Sequence, residues 1–332
     1  MLEQTSTYDS EERIFLAIPM SGPKKQHYVP KFYLKGFCRD GKLWMYDRDR
    51  GNLVQLRPET VGIAKDFYTF ADEEDRRDVS AERELSRIEN AAAPIIRRIE
   101  DGQRITLDEK CELALFVGLM RYRVPDFEQE HKEFNDTVVK AIHKEMFPSV
   151  EAVEAQLAWQ GDRTDTESAR NYFEMIRDES YDMVTNKPYY IAQMLHLGLA
   201  TGEELATMEW LFVRAPQNSA FITSDDPFLI MPPRDYDAET SPRGVGIVTP
   251  GVYKGIPLTQ KDYLCIQDRG LKMEEWQADR RVVRMINQDT ARSHRRFLFG
   301  RDEALVWKAG STTKPSPRAR PKIYKGNSDR AG

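Results

Sequence analysis

An α+β fold is what this 332-residue sequence predicts. Three features lead there. Strand- and turn-like segments fill residues 25–72, helical periodicity runs through 78–206, and strands return over 207–307, where they precede a last basic helix. The two kinds of element are segregated rather than alternating, which separates the pattern from a doubly wound α/β sheet.

In the first block, Lys42–Tyr46 carries Leu43, Trp44 and Tyr46 in loose alternation, and Asn52–Leu56 follows the turn-rich run Asp47 to Gly51. Together they predict a β-hairpin. The aromatic run Asp66–Phe70 reads as a further strand. In the helical block, Leu85, Ile88, Ala92, Ile95 and Ile99 recur at helical spacing, with Pro94 marking a kink or break and Gly102 standing where a C-cap belongs. Thr106 and Glu109 form a capping-box pattern ahead of the apolar run Cys111–Met120, a helix central to the core. Phe127, His131, Phe134, Val138, Ile142 and Met146 continue a helical stripe, and two or three further helices fill 149–200. In the third block, Trp210–Val213 and Phe221–Thr223 flank the turn Pro216–Ser219, Ile256–Leu258 pairs with Tyr263–Ile266, and a helix runs from Asp279 to about Arg296.

Composition narrows the class. The chain is 40% hydrophobic and 31% charged, enough for a substantial core. No repeat of fixed period is present, which argues against a solenoid or propeller. The apolar run Leu113–Met120 falls far short of the ~20 residues that cross a bilayer, so no membrane span is expected. The patch Ile14–Ile18 follows Glu11 and Glu12 and does not read as a secretory signal. Cys38, Cys111 and Cys265 are far apart, which excludes a disulfide framework or zinc ribbon and fits a cytoplasmic protein. Net charge is −5, yet residues 279–332 hold 14 Lys and Arg against 5 Asp and Glu, or +9, so the remainder carries −14. Such asymmetry marks an anionic partner such as nucleic acid at the basic end, or equally a solvated helix and a floppy tail. The expected organisation is a flexible leader over 1–24, one α+β domain over 25–307 and a basic disordered tail over 308–332.

Four polar constellations stand out. His27 lies in Gln26-His27-Tyr28-Val29-Pro30, a proline-fixed setting that suits a base or metal ligand, or a ring that caps a strand. Thr223-Ser224-Asp225-Asp226-Pro227 follows an apolar strand. Adjacent carboxylates there suit Mg²⁺ or Mn²⁺, while Ser and Asp before proline equally make turns. Arg121 ends the most apolar helix and needs a partner, for which Asp225 or Asp226 is the candidate. Arg280, Arg284, Arg292, Arg295 and Arg296 make the last helix basic, a candidate nucleic-acid face or a solvated one, and Asn287 is placed to hydrogen-bond inward. The sequence has no Gly-x-Gly-x-x-Gly, phosphate loop, His-Glu-x-x-His or Gly-x-Ser-x-Gly, which argues against a Rossmann oxidoreductase, a P-loop NTPase, a zincin and an α/β-hydrolase.

The motifs His27 to Leu34, Lys65 to Tyr68, Glu89 ahead of Ala92-Ala93-Pro94, Arg121 to Pro125, Ile222 to Pro227 and Asn287 occur in an order that resembles domain of unknown function 4238, a large microbial family. The resemblance spans about residues 26–300 and implies one unit across that span, without a function. It also implies that the position of Asp226 is often asparagine, which makes Asp225 the stronger candidate for an essential carboxylate.

Two functional readings follow. One is a metal-dependent hydrolase acting on phosphodiesters: Asp225 holds Mg²⁺ or Mn²⁺ with Asp226 and His27 as further ligands, His27 serves as ligand or base, and Arg121 meets developing negative charge. The other is a non-enzymatic binding or sensor protein, in which His27, Tyr28, Arg121, Ser224, Asp225 and Asn287 form a buried network that specifies the fold. An open cleft at these residues would favour the first, and a dry, paired network the second.

Overall fold

The computed structural model describes residues 25–71, 77–159, 165–184, 186–233, 236, 245–271 and 273–312. The expected leader, and the tail beyond residue 312, lie outside the described residues.

Strand β1 (Lys25–His27) leads into the short helix α1 (Lys31–Lys35), and β2 (Leu43–Asp47) and β3 (Asn52–Leu56) form the expected hairpin. β4 (Ile63–Lys65) returns antiparallel to β1, and β5 (Phe70–Ala71) pairs with β6 (Arg77–Asp78). Most of Asp66–Phe70 is therefore a turn rather than a strand. Asp66 adopts φ +48°, in the left-handed region that aspartate tolerates better than most residues.

The helical block holds α2 (Ser80–Glu100), α3 (Leu107–Tyr122), α4 (Pro125–Met146), α5 (Val150–Trp159), α6 (Thr166–Arg177) and α7 (Lys187–Thr207). The Thr106 hydroxyl accepts the N–H of Glu109 at 3.2 Å, and the Glu109 carboxylate accepts the N–H of Thr106 at 2.8 Å, which closes the capping box. Pro94 does not break α2. The helix continues to Glu100, where Gly102 at φ +76° donates back to the Ile99 carbonyl. α3 and α7 approach closely because Gly118, Gly198 and Gly202 face one another across their crossing.

After α7 come β7 (Glu209–Arg214), β8 (Thr223–Ser224), β9 (Leu229–Met231), β10 (Tyr253–Pro257), β11 (Asp262–Gln267), β12 (Glu275–Gln277), α8 (Arg280–Ser293), β13 (Phe297–Gly300) and α9 (Glu303–Thr312). They build a five-stranded sheet in the order β12-β7-β11-β10-β9, and a four-stranded sheet in the order β3-β2-β13-β8 that joins the two ends of the chain. The segments that flank Pro216–Ser219 enter different sheets: β7 pairs with β11 and β12, whereas β8 pairs with β13. Residues 308–312, expected in the tail, belong to α9.

Alternation along the strands places the cores. Leu264, Ile266 and Ile256 face the main core with Leu85, Ile88, Phe116, Val117 and Met194 of the helices. On the opposite face Val213 and Tyr263 pack against Val283 and Ile286 of α8. A smaller cluster of Tyr46, Ile222, Leu298 and Val306 lies between the four-stranded sheet and α9. No described helix is long and apolar enough to cross a membrane.

Candidate functional site: two buried polar networks

The first network surrounds Asp225, at the end of β8. Its side chain turns to the α8–β13 connection, where Oδ1 accepts the backbone N–H of Arg295 at 2.9 Å and Oδ2 those of Arg296 and Phe297 at 2.7 and 3.0 Å. Its own N–H donates to the Phe297 carbonyl at 3.1 Å. One carboxylate thus serves three consecutive backbone donors that a buried turn would otherwise leave unmet. Ser224 closes its own turn at the end of β8, accepting the Asp226 N–H at 3.2 Å. Asp226 is fully buried, with Oδ2 3.5 Å from Arg295 Nε, and Arg295 also meets Glu130 of α4. Arg296 grips Asp47 of β2 through two bonds at 3.0 and 2.8 Å, and this holds the Asp47 carboxyl below the usual carboxylate range. The Asp47 carboxylate in turn raises the basicity of Arg296, with smaller contributions from Asp49 and Tyr28. Asn287 faces inward as expected: its Oδ1 accepts the Ile222 N–H at 3.0 Å and its Nδ2 donates to the Ala220 carbonyl at 2.9 Å.

The His-Tyr-Val-Pro helix α1 joins this network through Tyr33. Its hydroxyl lies 2.6 Å from the Pro257 carbonyl and 2.7 Å from Thr223 Oγ1. Because the carbonyl can only accept, Tyr33 donates to Pro257 and Thr223 donates to Tyr33.

The second network centres on Arg123. Its Nη1 lies 2.7 Å from Glu89 Oε1, Nη2 donates to the His27 carbonyl at 2.9 Å, and Nε donates to the Tyr68 hydroxyl at 3.2 Å. Gln26 extends it, accepting the Tyr68 N–H at 2.7 Å and donating to Thr69 at 2.8 Å. Burial pushes the Tyr68 hydroxyl up to about 12 and raises the carboxyl of Glu82, one face-repeat before Glu89 on α2.

These placements correct two expectations. Arg121 does not pair with Asp225 or Asp226, because Asp225 serves residues 295–297 and Asp226 faces Arg295. The salt-bridged arginine is Arg123. Two residues along a helix turn a side chain by about 200°, so Arg121 and Arg123 leave on opposite sides. The Arg121 guanidinium instead lies 5.7 Å from the Tyr122 ring, with Nη1 buried and without a hydrogen-bond partner. Nor are Asp225, Asp226 and His27 gathered as a ligand set: among the described residues no three His, Cys, Asp or Glu side chains form a metal site. The His27 ring is turned to the Pro58 carbonyl, its Nε2 is buried without a partner, and burial lowers its basicity.

The basic residues divide in the same way. Arg295 and Arg296 are held by Glu130, Asp226, Asp47 and Asp49, whereas Arg280 and Arg284 lie exposed on α8 with Arg281 beside them, and Arg292, also exposed, pairs with Asp289 at 2.8 Å. A groove of about 820 Å³, lined by Ile105, Lys110, Trp210, Phe212, Arg214 and Met273 among others, holds none of the candidate residues.

Sequence reasoning missed the roles of Glu89 and Arg123. A readable signal exists for Glu89: with Glu82 it falls on the heptad row that also carries Leu85, Ala92 and Ile96, and carboxylates on an apolar stripe call for a buried cation.

No curated protein and no solved structure matches the chain. A family described as "Protein of unknown function (DUF4238)" matches residues 25–304, a span that takes in both networks and nearly all of the described fold. The chain is a member of the DUF4238 family.

Proposed function

We propose that this is a non-enzymatic binding protein whose partner is nucleic acid, engaged by the arginine face of α8, and that the motif residues form the frame holding that face. One observation carries the reading. Arg280, Arg281 and Arg284 occupy the first turn and a half of α8, all exposed, with no ion-pair partner among the described residues. The macrodipole is positive at that end, so each cation there costs about 0.3–1 kcal/mol. A local choice that opposes folding is the mark of a functional demand. The Asp279 side chain, which caps the Arg281 and Val282 N–H groups at 2.8 Å, offsets part of the charge locally. Arg292 extends the row and Trp276, 40% exposed, stands just before it as a surface on which a base could stack. Asn287 and the Asp225 turn fasten the helix from beneath.

The test is fluorescence anisotropy of labelled single- and double-stranded DNA and RNA, in a salt series and with Mg²⁺ or Mn²⁺ present. We expect affinity to fall steeply with salt, and a triple Arg280→Ala, Arg281→Ala, Arg284→Ala variant to reduce the log–log slope by about 2–3 while its melting temperature rises, because three cations leave the positive end of the helix. Binding that ignores both salt and the triple substitution would end this reading. Metal-dependent cleavage of the strands, lost in Asp225→Asn, would restore the hydrolase in its place.

A further inference from the structure

We infer that the open edge of β12, with the groove beside it, is a docking site for this chain's own residues 14–18, added to the sheet as a further strand. Those residues lie outside the described ones; the site does not. β12 ends the five-stranded sheet and pairs in parallel with β7. The Phe212 N–H donates to the Glu274 carbonyl at 2.8 Å and the Ala278 N–H to the Arg214 carbonyl at 2.9 Å, so the backbone of 274, 276 and 278 serves β7. In a strand the residues between turn their N–H and C=O groups the other way. Glu275 and Gln277 therefore offer donors and acceptors along an open edge, and both residues are exposed. An extended chain is the ligand whose own groups match that spacing. The groove of about 820 Å³ runs beside this edge. Trp210 and Phe212 face it from alternate positions of β7, and Ile105, Leu107 and Lys110 from the start of α3. Leu107 is 71% exposed and Met273 51%. A strand beside β12 sets every second side chain over this apolar floor.

Sequence, charge and reach name the occupant. Ile14-Phe15-Leu16-Ala17-Ile18 is an apolar run rich in strand-forming residues. Ile14, Leu16 and Ile18 share one face of an extended chain, and Pro19 stops the ladder because it has no N–H to donate. Arg104 and Lys110 on the α3 side of the groove have no ion-pair partner among the described residues, and Glu11 and Glu12 precede the run to supply one. Arg13, which follows them, is the counterpart of the exposed Glu274 and Glu275 on the other side. The His27 carbonyl of β1 meets Arg123 at the end of α3, and the groove lies at the start of the same helix. α3 rises about 24 Å between Leu107 and Arg123. A chain from Leu16 to Lys25 spans up to about 30 Å when extended, enough to cover that distance. Trp210 and Phe212 lie on the face of the sheet opposite α8, so the inference does not depend on the nucleic-acid reading.

The experiment is hydrogen–deuterium exchange of the full chain, read by mass spectrometry at the Glu275 and Gln277 amides, for wild type and Leu16→Asp at two protein concentrations. We expect both amides to exchange about tenfold more slowly in wild type than in Leu16→Asp, at either concentration and with matching circular dichroism. Fast exchange in wild type leaves the edge open and overturns the inference. Slow exchange in both proteins also overturns it, because a cover that survives Leu16→Asp is something other than this segment; protection that rises with concentration would identify it as a second copy. A disulfide gives an independent reading in a Cys111→Ser background. Leu16→Cys with Met273→Cys should close an intramolecular bridge on mild oxidation far more completely than Thr5→Cys with Met273→Cys. Equal yields would be those of a tether that meets the groove at random, and would count against docking.

Discussion

The Arg123 guanidinium and the Glu89 carboxylate meet at 2.7 Å, the arginine side chain 3% exposed and the glutamate 23%. They come from different helices, and Arg123 also bonds the His27 carbonyl of β1. One buried cation thus ties α2, the end of α3 and the first strand together. Buried pairs contribute little net stability over a well-packed apolar replacement, but breaking one leaves an uncompensated charge.

Glu89→Ala should therefore destabilise the protein by about 3 kcal/mol in urea denaturation, while Glu89→Leu combined with Arg123→Met should recover most of that loss. A single variant as stable as wild type would mean that solvent already compensates Arg123.

Asp225→Asn replaces one acceptor oxygen with an amide that faces backbone N–H groups. The lost charge-assisted bonds and the new donor–donor contact should cost about 2 kcal/mol. We expect Mg²⁺ and Mn²⁺ to leave the melting temperature of both proteins where it was. A metal-dependent rise in wild type that vanishes in Asp225→Asn would show that the carboxylate has a use beyond the 295–297 turn.

The sequence revealed those parts of the fold that local rules decide. The Thr106–Glu109 capping box and the β2–β3 hairpin rest on contacts within a few residues, and both are present. Asp66–Phe70 misled because its aromatic residues suit a strand, while a left-handed Asp66 turns the chain instead. The α4 stripe was legible as a stripe, but periodicity marks an apolar face without saying whether anything covers it. The candidate site was legible as residue types and not as partners. Asp225 bonds residues about 70 positions away, and Arg123 one 34 positions away, and no spacing rule encodes such register. The choice between Arg121 and Arg123 turned on the rotation of a helix end, which only packing fixes.

Gly118→Ala tests the α3–α7 crossing. A Cβ at Gly118 would lie 2.4 Å from the Gly198 carbonyl oxygen and 2.5 Å from the Gly202 nitrogen, against backbone that cannot swing aside. The helix-propensity gain of alanine is about 1 kcal/mol, and the overpacking cost is up to about 3 kcal/mol, so a net loss near 2 kcal/mol is expected. An unchanged or raised urea midpoint would show that the helices can separate freely.

His294, at the end of α8, carries a pH signature. It is 2% exposed; Nδ1–H donates to the Ala291 carbonyl and Nε2 is buried without a partner. Burial pulls its pKa from 6.5 down to about 4. Between those values the unfolded chain binds a proton that the folded protein refuses, so stability falls as pH drops through this window and is fully present above it. From pH 7 to pH 5 the loss from this residue should be about 2 kcal/mol. His294→Asn keeps a donor for Ala291 and removes the titration, so the stability difference between pH 7 and pH 5 should shrink by that amount in urea unfolding. Other buried groups, His27 among them, titrate alike in both proteins and cancel in the comparison. An equal pH dependence in the two would place the proton uptake elsewhere and show that the His294 ring reaches water in the folded state.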